Sequence, residues 1–281
     1  MSISLDQMTG TNFLYQRFTF GRFLDDMEAL GRRRLELWGI APDLYVPALE
    51  DGDVQRMRWR IEDRGMSVHC FTPEQIMYPV NLASEAGWER RGGIATYRRA
   101  AEVAAGLGAE FLFLVPGTGR EDLSREEAWD RSRNGLEEIS EYAATLGVRC
   151  LLEPLQRRES NLVNNSSDLN AMLNDVASDN LFAVIDTVAM AMSSETIADC
   201  FRVLGDRVRH VHLVDGAPSG HMPWGRGKLP LAQYLAELDE AGYDGMMTQE
   251  LFGSLDALDP LPAHRESLDY IAARIGEMAS R

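Results

Sequence analysis

The sequence predicts an α/β protein folded as one closed (β/α)₈ barrel, the TIM-barrel architecture, with a single domain over residues 1–281. Three observations carry that expectation. Strand-like and helix-like segments alternate from end to end, and alternating βα units argue for a parallel sheet. Eight such units follow one another without a break at the midpoint, which favours a closed barrel over an open doubly wound sheet. The length of 281 residues is that of one such barrel.

The first strand is expected within residues 2–8. Residues 20–30 read as an amphipathic helix, with Phe20, Phe23, Leu24, Met27 and Leu30 on one face and Gly31 as its stop. Strand two covers 34–38, helix two covers 51–64 and ends at Gly65, and strand three covers 67–71. An Ala-rich helix over 88–107 stops at Gly108. Strand four, 110–115, ends Phe-Leu-Phe-Leu-Val, as apolar as a strand buried on both faces should be. Helix four, 124–146, opens on Ser124-Arg125-Glu126-Glu127, a capping-box start. Strands five to eight cover 148–152, 181–185, 208–214 and 246–249. The remaining helices cover 167–176, 194–204, 230–241 and 264–278. Two loops, 72–87 and 215–229, are long for barrel turns. Both leave C-terminal strand ends, where active-site loops belong.

Composition excludes several classes. A net charge of -16 opposes a nucleic-acid backbone and an anionic membrane surface. No apolar stretch approaches the roughly 20 residues of a membrane helix. Cys70, Cys150 and Cys200 form no CxxC pair and read as reduced, buried thiols. With no basic region and apolar run at the N-terminus, the expected compartment is the cytoplasm.

Four residues carry the chemistry. Glu153, Asp186, His212 and Glu250 each sit at or near the end of one of strands five to eight. Strand ends of a closed parallel barrel converge on one mouth. A carboxylate there is costly unless it is ligated or hydrogen-bonded. Three carboxylates and one imidazole on consecutive strands form a divalent-metal site, and oxygen-rich ligation suits Mn²⁺, Co²⁺ or Mg²⁺ over structural Zn²⁺. His210 shares a strand face with His212 and reads as a packed or supporting residue, with Asp215 either orienting it or capping the next turn. His69, near the end of strand three, faces either the pocket or the core. His264, at the start of the last helix, reads as a surface residue. Glu159 is either a substrate contact or a solvated loop carboxylate. Gly225-Arg226-Gly227-Lys228 lacks the spacing of a phosphate loop, and no GxGxxG follows a first strand, so no nucleotide cofactor is expected.

The runs Glu153-Pro154-Leu155, Glu159-Ser160-Asn161, Asp186-Thr187, Arg209 to Asp215 (RHVHLVD), Gly225 to Leu231 (GRGKLPL) and Gln249-Glu250-Leu251 resemble the xylose-isomerase-like sugar isomerases and epimerases. The branch most resembled is that of fructoselysine 3-epimerase, which Glu36-Leu37-Trp38-Gly39, Phe71-Thr72-Pro73-Glu74 and Tyr78-Pro79 also echo. The tagatose and psicose types are more distant. They place a substrate-binding His three residues after the strand-six Asp, where this chain has Ala189.

The resemblance implies that Glu153, Asp186, His212 and Glu250 bind the metal, with Mn²⁺ preferred and Co²⁺ or Mg²⁺ as alternatives. It implies that Glu153 and Glu250 are the catalytic acid/base pair, moving a proton next to a ketone through a cis-enediolate. It implies substrate contacts at Glu159, His221 and Trp224; His69, in the alternative that it faces the pocket, is a further expected substrate contact. The expected partner is a small-molecule sugar, a ketose or ketose-amine. A homo-oligomer or a small partner subunit stays open. One rival is C-glycoside cleavage on 3-oxo-glycosides with such a subunit; inosose dehydration, a non-catalytic sugar-binding barrel and an endonuclease IV-like DNA-repair enzyme are others. The last needs more His ligands and a basic face than this chain offers, with five His and a charge of -16.

Overall fold

The computed structural model describes residues 3–253 and 255–280. Its elements are β1 (Gly10–Thr11), α1 (Phe20–Ala29), β2 (Arg34–Gly39), α2 (Asp51–Glu62), β3 (Ser67–Pro73), α3 (Gly87–Leu107), β4 (Phe111–Leu114), α4 (Arg125–Thr145) and β5 (Arg149–Leu152). Then follow α5 (Ser166–Val176), β6 (Leu181–Asp186), α6 (Thr187–Met192), α7 (Ile197–Leu204), β7 (Val208–His212), α8 (Leu231–Glu240), β8 (Met246–Thr248) and α9 (Pro260–Ala279). The eight strands are parallel and pair in sequence order. Met8 bridges Met247, and the Thr9 N–H donates to the Met247 carbonyl at 2.8 Å, which brings the two edges together. The predicted (β/α)₈ barrel is the observed fold.

Strand alternation sorts side chains into two layers. On β4, Leu112 and Leu114 join the large core between sheet and helices, whereas Phe111 and Phe113 join a smaller cluster inside the barrel with Cys70, Leu151 and Val184. The same alternation continues up each strand. Leu35 and Leu37, Leu152, Ile185, and Val211 and Leu213 lie in the outer core. Glu36, Glu153, Asp186 and His212, of the opposite parity, are therefore brought inward, and all four are buried. Polar residues at alternate positions of otherwise apolar strands are thus the residues that the barrel encloses.

The structure corrects two expectations. The first strand lies not within 2–8 but at Gly10–Thr11, preceded by a 3₁₀ turn at Leu5–Gln7; residue 2 lies outside the described residues. Gln7 drives this. Its Oε1 accepts from the Ser4 N–H at 2.8 Å and its Nε2 donates to the Gly245 carbonyl at 2.9 Å, so the segment is pinned as a turn under β8. Packing also favours Gly at β1, because a Cβ on Gly10 would lie 2.5 Å from Met27 Sδ.

The second correction is His264, which is buried rather than on the surface. Helix α9 begins at Pro260, with proline in its first turn. His264 is therefore one turn inside it, stacked on Tyr15 with centroids 5.9 Å apart. An unforeseen helix, α6, starts directly after Asp186.

Candidate active site

The C-terminal ends of β5 to β8 meet at one mouth. Glu153 follows β5, Asp186 and His212 are the last residues of β6 and β7, and Glu250 lies two residues beyond β8. One ligand-type atom from each of the four lies within 4.8 Å of all the others. His212 Nδ1 sits 3.0 Å from Glu153 Oε1 and 3.3 Å from Glu250 Oε2. Asp186 also caps α6, accepting from the Ala189 N–H at 2.6 Å. Its other oxygen lies 3.3 Å from His221 Nε2, which is itself 3.3 Å from Glu250 Oε2.

These charges are unevenly compensated: burial raises Asp186, but His221 and His212 hold its carboxyl below the usual value, whereas Glu153 gains no such balance. Burial, opposed by His212 and reinforced by Glu250 and Asp186, pushes the Glu153 carboxyl up to about 8. For His221 burial acts downward, but the Asp186, Glu250 and Glu153 carboxylates prevail and push it up to about 9. Glu153 Oε1 and His212 Nδ1 are both buried and accept or donate no hydrogen bond. Buried polar atoms are rarely left unpaired. Three carboxylates and an imidazole with such orphaned atoms fit a divalent cation, which would bind to all four and cancel their repulsion.

Below this ring lies a residue that had been read only as part of the strand-two element. Glu36 is fully buried, with Oε2 2.8 Å from His210 Nε2 and Oε1 3.2 Å from His212 Nε2. The Thr72 hydroxyl donates to Glu36 Oε1 at 2.7 Å. A charged residue between Leu35 and Leu37 was the available signal, since only an inward position with donors tolerates it. His210 is a packed supporting residue, as its parity with His212 predicts.

Other expected site residues divide cleanly. His221 and Glu159 line a cavity of about 360 Å³ above the four residues. Trp224 does not. It is 1% exposed, and its indole N–H donates to the Leu213 carbonyl at 3.0 Å, which makes it a core plug beside Tyr234. His69 does not line the cavity either. It sits low in the barrel, buried against Phe111 and His210, with centroids 5.2 and 5.4 Å away. Burial lowers its pKa to about 4. Asp215 caps the turn and does not orient His210. Its carboxylate accepts from the N–H groups of Gly216, Gly225, Gly227 and Leu229 at 2.8, 3.1, 2.8 and 3.1 Å.

The opposite cavity wall is aromatic. Phe13 stacks on Trp38 at 5.4 Å, and Phe252 meets both edge-on. Glu74 holds this wall by accepting from Trp38 Nε1 at 2.8 Å and from the Ile76 and Met77 N–H groups at 2.6 and 2.5 Å. Phe13 and Phe252 escape the sequence reading, and Trp38 and Glu74 enter it without a role, because the wall is drawn from four separate loops and strands with no shared spacing.

Comparison with known proteins shows the family and the fold. Residues 24–274 match the model of the xylose isomerase-like TIM barrel. The fructoselysine 3-epimerase of Escherichia coli O157:H7 is 29% identical over 265 residues, 94% of this chain and 96% of that protein. The D-psicose 3-epimerase of Agrobacterium fabrum is 23% identical over 239 residues, 83% of this chain and 79% of that protein. The structure of an L-ribulose 3-epimerase superposes with a TM-score of 0.81 at 21% identity, covering 98% of this chain and 97% of that one, a likeness of fold.

Proposed function

We propose a function from one premise: the chain belongs to the xylose isomerase-like TIM barrel family. It is an epimerase of sugars that depends on a divalent cation and acts at carbon 3 of a ketose or of a ketose-amine such as fructoselysine. The observation that carries this reading is the cluster of buried Glu153, Asp186 and His212 with half-buried Glu250, in a chain whose curated relatives include fructoselysine and D-psicose 3-epimerases.

In this reading those four residues hold the cation, Mn²⁺ in preference to Co²⁺ or Mg²⁺. When bound, it supplies positive charge beside the substrate carbonyl, which acidifies the neighbouring C–H and stabilises the enediolate. The chain's own residues do the rest. One of Glu153 and Glu250 takes the proton from carbon 3, and the other returns one to the opposite face, which inverts the centre. Glu159 accepts from a substrate hydroxyl at the cavity rim. His221, 3.3 Å from both Asp186 and Glu250, orients the Glu250 carboxylate. The aromatic wall of Phe13, Trp38 and Phe252 covers the apolar face of the sugar.

The same reading takes the chain as one domain, working in the cytoplasm. Three buried, unpaired cysteines support that compartment, and no helix among the described residues is long and apolar enough to cross a membrane.

Deuterium exchange in D₂O with Mn²⁺ tests this, screened over free ketoses, ketose-amines and 3-oxo-glycosides. Metal-dependent exchange at carbon 3 with inversion is the expected result. No exchange with any of them overturns the reading, and exchange confined to 3-oxo-glycosides with loss of the aglycone replaces it by C-glycoside cleavage.

A further inference from the structure

Glu36 does not line the cavity and meets the four residues only at His212 Nε2, yet it is as buried as any of the described residues. An ionised carboxylate only accepts hydrogen bonds. Its three neighbours must therefore donate. Thr72 gives its hydroxyl at 2.7 Å, His210 its Nε2 at 2.8 Å and His212 its Nε2 at 3.2 Å. His210 is in turn held by the Thr248 hydroxyl at 3.1 Å, which contacts the Thr9 hydroxyl at 2.6 Å. The chain of contacts thus runs from the mouth down to the seam where β1 and β8 meet.

We propose that Glu36 is a positioning residue for the cation: it fixes His212 as the Nε2–H tautomer, so that the Nδ1 lone pair points at Glu153, Asp186 and Glu250. The inference rests on the metal reading above and assigns Glu36 a part in it. A neutral imidazole has one donor and one acceptor nitrogen, and the partner of one decides the role of the other. With Nε2 committed to Glu36, Nδ1 is the only nitrogen free to ligate, and it is the one that faces the carboxylates. The negative charge behind the ring also raises its basicity toward a cation. Stacking of His212 on Phe113, at 4.9 Å and 2°, fixes the plane of the ring, and the Glu36 contact at Nε2 selects between the two flips within that plane.

Two measurements test this. Mn²⁺ titration by calorimetry of chelator-stripped protein is expected to show about 10–100-fold weaker binding in Glu36→Gln, with one equivalent bound by both proteins. Gln matches Glu in shape, so apo melting temperature serves as the folding control. Histidine ¹⁵N spectra of the unmodified protein loaded with diamagnetic Mg²⁺ are expected to show His212 protonated at Nε2 and not at Nδ1. That second result does not depend on any variant folding. Unchanged Mn²⁺ affinity in folded Glu36→Gln, or a proton on Nδ1 of loaded His212, overturns the proposal. So does a second equivalent in the parent that the variant lacks, which would make Glu36 a ligand. Failure of the parent to bind any divalent cation instead overturns the metal reading itself.

Discussion

Two layers of ionisable side chains lie one above the other inside this barrel, and they are built on opposite terms. The lower layer, Glu36 with His210, His212 Nε2 and Thr72, pairs every oxygen of its carboxylate with a donor. The upper layer sets Glu153, Asp186 and Glu250 around His212 Nδ1 and leaves Glu153 Oε1 and that nitrogen without hydrogen bonds. Both layers set glutamate against histidine. The difference shows what separates a scaffold carboxylate from a site carboxylate: the first finds its donors within the chain, and the second keeps an oxygen open for something the chain does not contain.

That contrast can be broken most sharply at the upper layer. Glu153→Gln is expected to cut carbon-3 exchange by about 10²–10⁴-fold, the scale of one general acid or base. Far-ultraviolet spectra should be unchanged. A variant with parental exchange rates would show that Glu153 moves no proton. Next in size is the cation itself. Adding Mn²⁺ to stripped protein at a hundred times its dissociation constant should stabilise the fold by about 2.7 kcal/mol, read as a rise in melting temperature. A melting temperature indifferent to Mn²⁺ would contradict the open upper layer.

A third test uses pH. Burial holds His264 at about 4 in the folded protein, against an ordinary value of 6.5. Between those values the unfolded chain binds more protons, so stability is full above about pH 6.5 and falls toward pH 4. Replacing His264 with Phe removes this dependence. The difference between parent and His264→Phe should grow by roughly 1 kcal/mol per pH unit within that window. Parallel curves would show that His264 is not buried neutral. The smallest effect is expected at the rim. Glu159→Gln should raise KM several-fold with kcat nearly constant, as the loss of uniform binding does. A kcat loss as large as that of Glu153→Gln would move Glu159 into the proton transfer.

How much of this was legible in the sequence follows from which contacts are local. The barrel was legible because each βα unit is written in its own stretch of chain. Gly108, for instance, stops α3 where expected, in a left-handed conformation (φ 72°). The four mouth residues were legible because strand ends converge by topology, whatever the details of packing. β1 was misplaced because two residues carry too little periodicity to read, and because the turn before it is held by the distant Gly245. His264 was misjudged by starting α9 four residues late, which turns an inward position into an apparent end. Trp224 takes its expected role by analogy and His69 by its place near a strand end, while their packing against Leu213 and Phe111 is tertiary and leaves no local mark. Glu36 was visible but its partners, His210 and His212, lie more than 170 residues away.

The Asp215 carboxylate has a consequence of another kind. By gathering the amides of Gly216, Gly225, Gly227 and Leu229 it ties both ends of the loop that bears His221 to one point on the frame. Gly227 is fixed by that knot, since a Cβ there would lie 2.2 Å from Asp215 Oδ1. Between the tied amides Met222 bridges Asp215 and Trp224 fills the core, so only the exposed tip of Ala217, Pro218 and Ser219 answers to no such demand. The loop is therefore an exchangeable cassette: its tip can be rewritten or grafted from a relative, provided the knot is copied with it, while the barrel beneath is left as it stands.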